Sequence, residues 1–412
     1  MRGTGFSFLF LLSLAAVSCS NGNITTVSPI NGKYTATLDI TNSIAPIKLV
    51  TDSTRNIVVP EKGTPYNIYE LIDTVFFVPL ETKGNCLIGE VSKIIADSNS
   101  IFVLDKNNGS VLKFDYHGKF LCRFGNRGNG PGEFVKLYDM ALDYENKQIC
   151  LLDLDGGKQI FFSYNGKYIK DVPLYFYYSQ LEFGYGKQVA YTGLSSNSHI
   201  PAIDDHQLVI TNQGQTPLNA GFAYNGKIRN RFHFTSSRPL SSIKGNIFFH
   251  HLLSDTIWEI KDTVCHARYV LNIPNNKLGK MHSMPLTDEL YKKAVESQLS
   301  FTGIYTQTSD VVCFFIANKK RLEPLLYSKV SGKTLYGYAF SEPKKNLFEA
   351  LKCNYFEFAN NDYFIKVIQP YDAIRIVKLN KDIHPDREEN LLLKNLDLED
   401  NPILMFAKLK EF

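Results

Sequence analysis

The densest cluster of glycine and charge in the chain is R-F-G-N-R-G-N-G-P-G-E-F at 123–134, where Gly125, Gly128, Gly130 and Gly132 surround Arg127. Backbone N–H groups of such a stretch can converge into an anion-binding nest, and Arg127 would add a guanidinium. The stretch lacks the G-x-x-x-x-G-K-[ST] ending of a phosphate loop, and no helical pattern follows it. The competing reading is a crossover, in which glycine lets the chain turn sharply between packed sheets. Asp153 and Asp155 in L-L-D-L-D-G-G lie two residues apart, on one strand face. Together with Gly156 and Gly157 they suit Ca²⁺ or a sugar hydroxyl, or else a turn rich in Asp and Gly. His250 and His251 are adjacent in a strand-like run, so only one of them, His250 here, can reach a central channel. Tyr178 and Tyr185 in Y-F-Y-Y-S-Q-L-E-F-G-Y (175–185), and Tyr371 beside Asp372, are candidates for stacking on a sugar or peptide. Core packing is the alternative use of the same rings.

No other catalytic pattern accompanies these residues. There is no H-E-x-x-H and no G-x-S-x-G nucleophile elbow. The seven cysteines form no C-x-x-C pair. No metal and no cofactor is expected. The net charge of +4 is small for 412 residues, and lysine and arginine are dispersed, so no nucleic-acid partner is expected.

The elements that must position these residues are strands. The chain holds 23 Tyr and 29 Phe against one Trp, a bias that suits strands. Four segments share an apolar strand, a turn ending in Gly, then Lys and a further strand. They are V-L-K-F-D-Y-H-G-K-F-L (111–121), Q-I-F-F-S-Y-N-G-K-Y-I (159–169), F-A-Y-N-G-K-I (222–228) and L-Y-S-K-V-S-G-K-T-L (326–335). Asn-Gly is a strong hairpin signal, because both central positions need positive φ. Weaker copies fall at 257–264, turning at Lys261-Asp262, and at 374–383, turning at Asn380-Lys381. A β-rich run precedes each hairpin, at 101–105, 148–153, 207–211, 246–250, 311–315 and 363–367. Repeats of about fifty residues, each a meander of strands, predict an all-β fold, a six-bladed β-propeller.

One short helix is predicted within 284–300, with Thr287 as N-cap and Leu290, Ala294 and Val295 on one face. The ends of a propeller should meet, so that no blade keeps an unpaired edge. The C-terminal run 402–410 is expected to join a blade begun by an N-terminal strand, with 34–40 and 56–60 as candidates.

The first 19 residues read as an export signal: Met-Arg, an apolar run from Phe6 to Val17, then Ser18-Cys19. A-A-V-S-C resembles a bacterial lipobox, which implies that Cys19 becomes the lipidated first residue of the mature protein. Residues 20–33 then form a tether and 34–412 the propeller. Together, F-V-P-L-E-T-K-G-N-C-L-I-G-E-V (77–91), the G-K-F turn, G-N-G-P-G-E-F and D-N-P-I-L-M-F-A-K-L-K (400–410) are similar to the six-bladed propeller lipoproteins of Bacteroidetes, relatives of NHL-type propellers. The resemblance implies an exported lipoprotein, held by its lipid to the outer or cytoplasmic membrane and facing the periplasm or the cell surface. It carries no catalytic set. The expectation is a non-enzymatic binder of a protein or carbohydrate, with a link to glycan or nutrient uptake. The alternative is a hydrolase or lyase acting on glycans or peptides at the central channel.

Overall fold

The computed structural model of the chain describes residues 44–193, 195–223, 238–251, 254–274, 299–319, 321–337, 339–340, 356–379 and 396–412. Six antiparallel sheets follow one another as the blades of a propeller. Blade one is Lys93–Ala96, Ile101–Asp105, Ser110–Phe114 and Phe120–Arg123. Blade two is Leu137–Asp143, Gln148–Asp153, Lys158–Ser163 and Tyr168–Pro173. Blade three is Gln180–Gly184, Lys187–Tyr191, His206–Thr211 and Pro217–Ala223. Blade four is Leu240–Ile243, Asn246–His250, Thr256–Lys261 and Val264–Asn272. Blade five is Leu299–Gln307, Val311–Asn318, Arg321–Ser328 and Thr334–Tyr336. Blade six is Phe358–Ala359, Phe364–Ile368, Ile403–Leu409 and Ile72–Pro79.

The apolar runs read as solid rather than alternating because each blade is buried on both faces. In blade one Ile101 and Val103 pack toward blade six, against Val78, Ile365 and Phe406. Phe102 and Leu104, one residue out of phase, pack toward blade two, against Met140, Ile149 and Ile160. Clusters of this kind fill the junctions between successive blades all the way round. The G-K-F signals are the turns between third and fourth strands, with Gly118 at φ 80° and Gly166 at φ 84°. A side chain could not replace Gly118: its Cβ would lie 1.8 Å from the Pro79 carbonyl oxygen.

Closure takes the expected form with a different strand. Ile403–Leu409 pairs antiparallel with Ile72–Pro79, so the N-terminal side supplies the outer strand of the last blade. Residues 34–40 lie outside the described residues. Residues 56–60 do not close the ring, because Arg55–Val58 runs parallel to Tyr269–Asn272 on the outside of blade four. That pairing is part of a belt. Ala45–Pro46 adds to the outer strand of blade three, and Lys48–Val50 to that of blade four. Tyr66–Asn67 pairs with Ala339–Phe340 beyond blade five. Ile47 and Ile57 are the buried apolar pegs of the belt, 7% and 1% exposed.

Two of the six expected hairpins are corrected. In blade three the turn between third and fourth strands is 212–216, so the run 207–211 is a third strand and not a second one. Asn225-Gly226 lies outside the described residues. The run from 374 to 379 is not a strand but part of the helix Pro370–Leu379. Pro370 presets φ for a first helical position, and Ala373 and Ile376 share a face packed onto the junction of blades five and six. Asn380-Lys381 lies outside the described residues, as does the helix expected at 284–300, except that 299–300 begin the first strand of blade five.

Candidate functional site

The glycine loop has its own anion. Glu133 folds back so that its Oε2 accepts from the Gly130 N–H at 2.8 Å, and the Gly128 N–H donates to the Phe134 carbonyl at 3.0 Å. Lys158 donates to the Gly130 carbonyl at 3.1 Å and to Asp171 at 2.8 Å. Arg127 is exposed and donates to the Asn107 carbonyl at 3.1 Å, where it covers Gly109 in a turn of blade one. The loop is the crossover from blade one into blade two.

Asp153 is fully buried and is a structural acceptor. It takes the N–H groups of Val135 at 2.8 Å, Lys136 at 3.1 Å and Gly156 at 2.8 Å, so it ties the crossover to the following turn. Asp105 does the same in blade one, accepting from Gly89 at 2.7 Å and Asn108 at 3.0 Å. Asp155 is exposed and accepts from the Tyr138 hydroxyl at 2.9 Å. No cluster of metal-ligand residues occurs among the described residues. Tyr178 is fully buried, its hydroxyl between Gln159 Nε2 at 2.6 Å and Gln215 Oε1 at 3.2 Å. His250, 5% exposed, belongs to a second strand and does not line the channel. Its ring meets Phe301 edge-on and its Nε2 lies 2.7 Å from the Ser254 carbonyl. Tyr371 is 61% exposed on the helix, with Arg375 against its ring. The structure therefore scatters these residues rather than gathering them.

The channel is built from residues that carried no motif. First strands supply one charged group each: Lys93 from blade one, Asp139 from blade two and Glu182 from blade three. Lys93 Nζ donates to Asp139 Oδ1 and Glu182 Oε1, both at 3.0 Å, and to the Met140 carbonyl at 2.8 Å. Ser242 of blade four donates to the other Glu182 oxygen at 2.6 Å. Burial alone would push the Lys93 amine down, but the two carboxylates reverse that and hold it above the usual lysine range. Burial pushes the Glu182 carboxyl up, and Lys93 and Ser242 offset this only in part, because one ammonium serves two carboxylates. Arg238, at the entry to blade four, donates to the Glu357 carbonyl beside blade six at 3.0 Å and lies 3.8 Å over the Phe358 ring. Burial pushes its guanidinium down to about 10. Charged side chains thus bridge the blades across the middle. The signal in the sequence was slight: a charge inside an otherwise apolar short run in three of the first strands, S-K-I-I-A, Y-D-M-A-L and Q-L-E-F-G.

One predicted residue does sit in a cleft. The turns between first and second strands of blades two, three and four meet around a space of about 220 Å³. Tyr185 lines it, 44% exposed, at the tip of the blade-three turn. Its backbone is left-handed, φ 54°, which is costly for a side chain as large as tyrosine. The hydroxyl donates to Asn246 Oδ1 at 3.3 Å, and Glu145 accepts from the Gly186 N–H at 3.0 Å. Lys187, Gln213, Lys244 and Asn246 supply further donors and acceptors around the ring.

Fold and site together define a six-bladed propeller whose channel is bridged by charged side chains and whose open cleft lies among hairpin tips. The chain belongs to the family described as a domain of unknown function, DUF4934, whose model matches residues 54–408. It is similar in structure to a protein of Bacteroides fragilis NCTC 9343 named for its inferred export. That match has a TM-score of 0.68 and 19% identity, and covers 87% of this chain and 100% of the other. A second solved structure, from the DUF4221 family of Bacteroides vulgatus, aligns over 82% of this chain and 97% of its own at 9% identity, with a TM-score of 0.42. No curated protein matches the chain.

Proposed function

We propose that the protein is an exported, lipid-anchored binding propeller that takes a carbohydrate in the cleft around Tyr185. The observation that carries this reading is that ring, held half-exposed in a strained backbone conformation over a polar cleft. Strain that the fold tolerates at an exposed aromatic suggests a use for that aromatic. A flat ring surrounded by amides and lysines matches a sugar, which offers an apolar face and a rim of hydroxyls. Lipidation at Cys19, a tether over 20–33 and the NHL-type relationship complete the proposal. They rest on the leader and on the sequence resemblance, and the Bacteroides fragilis neighbour supports export.

A hydrolase or lyase at the channel would need a base free to act there. Lys93, Asp139 and Glu182 instead hold one another by hydrogen bonds, which favours binding over catalysis. The test is a glycan-array screen followed by calorimetry with the best ligand. Tyr185→Ala should lose roughly tenfold or more in affinity, in line with about 1–3 kcal/mol for a stacking contact. A ligand that binds Tyr185→Ala and the wild type equally would refute the site, and turnover of that ligand would refute the non-catalytic reading.

A further inference from the structure

A second polar corner lies away from the cleft, where the belt passes from blade four to blade five. Lys329 begins the turn after the third strand of blade five. Its amine donates to Gln307 Oε1 at 2.9 Å and to the Thr308 carbonyl. The Gln307 side chain is 3% exposed, and its Nε2 finds no acceptor among the described residues. Arg55 of the belt donates from Nη1 to the Lys329 carbonyl at 2.7 Å. Arg268, on the outer strand of blade four, also acts on the Lys329 amine. Among the described residues neither Arg55 nor Lys329 has a carboxylate within ion-pair distance, and Arg268 reaches Glu259 only at 3.8 Å. Glu259 is in turn shared with Lys261 at 3.4 Å.

Arg268 and Arg55 repel the Lys329 amine, which is held on an amide whose Nε2 has no acceptor among the described residues, and a compact anion would relieve that repulsion. We propose that this corner is an oxyanion site, in which Lys329, Arg55, Arg268 and the Gln307 amide take a sulfate, phosphate or carboxylate group. The assignment is independent of the Tyr185 cleft. Burial first, then Arg268 and Arg55, pushes the Lys329 amine down to about 8, while Asp310 and Glu259 pull the other way. Below that pH the amine carries the charge an anion needs, and above it the charge is lost.

The test is calorimetry of the purified protein with sulfate, phosphate and acetate as separate probes. Sulfate does not titrate near neutrality, so it serves for the pH series. Saturable sulfate binding is expected, weakening as pH rises through about 8. Lys329→Met and Arg268→Gln should each weaken it by about tenfold or more, the scale of one charge-assisted hydrogen bond. Lys333→Met, an exposed lysine in the same turn, should leave it unchanged. Should Lys329→Met fold poorly, Arg268→Gln carries the test alone, because Arg268 lies on a partly exposed strand face. A preference for acetate would point to a carboxylate ligand, and a preference for sulfate or phosphate to an ester. No saturable binding of any probe, or equal binding by wild type and Arg268→Gln, would overturn the proposal.

Discussion

Among the described residues, no strand adds to the outer edges of blades one and two, while blades three and four are finished by the belt. The difference follows from the edge strands. The outer strand of blade two, Y-I-K-D-V-P, carries Lys170 and ends at Pro173. Each of these features discourages another strand from adding on. The outer strand of blade four, V-C-H-A-R-Y-V-L-N, is nine residues long, has no proline, and buries Cys265, Ala267, Tyr269 and Leu271. Such an edge would recruit foreign strands, and residues 48–58 cover it. The lesson is that one fold handles the same hazard in two ways, by hostile side chains on one side and by its own N-terminal chain on the other.

The largest expected effect concerns the charged cluster that joins the two sides. Lys93→Met leaves Asp139 and Glu182 buried together without the cation that hydrogen-bonds both, and should cost about 3–5 kcal/mol in urea unfolding. Adding Glu182→Gln should restore part of it. The pH dependence has a definite sign. Glu182 titrates above its usual 4.5 in the folded state, so the unfolded chain ionises first and the cost of burying this group appears as pH rises past 4.5. The stability of Glu182→Gln relative to wild type should therefore improve over that interval; a gap that stays flat with pH would contradict the assignment.

A direct contrast between covered and bare edges comes next. Ile57→Ala, under the belt at 1% exposure, should cost about 2–5 kcal/mol. Leu121→Ala, on the bare edge of blade one at 45% exposure, should stay within about 0.5 kcal/mol. Equal costs would mean that the belt is decoration rather than structure. A similarly small effect on stability, within about 1 kcal/mol of wild type, is expected for Tyr185→Gly, which removes a left-handed side chain and should weaken ligand binding at least as much as Tyr185→Ala does.

The same contrast explains what could be read from sequence. In blades one and two each strand, turn and crossover is local, so G-K-F and the glycine crossover stood out. In blade three the crossover is held by Asn197 from a longer loop, which accepts from the Tyr177 N–H at 2.6 Å and leaves no short motif. The pattern at 374–379 suited helix and strand alike, and packing of Ala373 and Ile376 decided it. At the site, Tyr185 was legible as one ring of an aromatic run, but Tyr178, seven residues earlier, proved to be core. Lys93, Asp139 and Glu182 meet only because consecutive blades bring their first strands together, a proximity that no local spacing records.

The account's central claim is that ligand is taken at the hairpin tips and not in the channel. Hydrogen exchange by mass spectrometry, with and without a saturating glycan from the array, tests it most directly. Protection should rise in peptides spanning 143–147, 184–188 and 243–246, with those spanning 93–96 and 356–359 unchanged. Protection confined to the channel strands, with the Tyr185 turn exchanging as before, would contradict it.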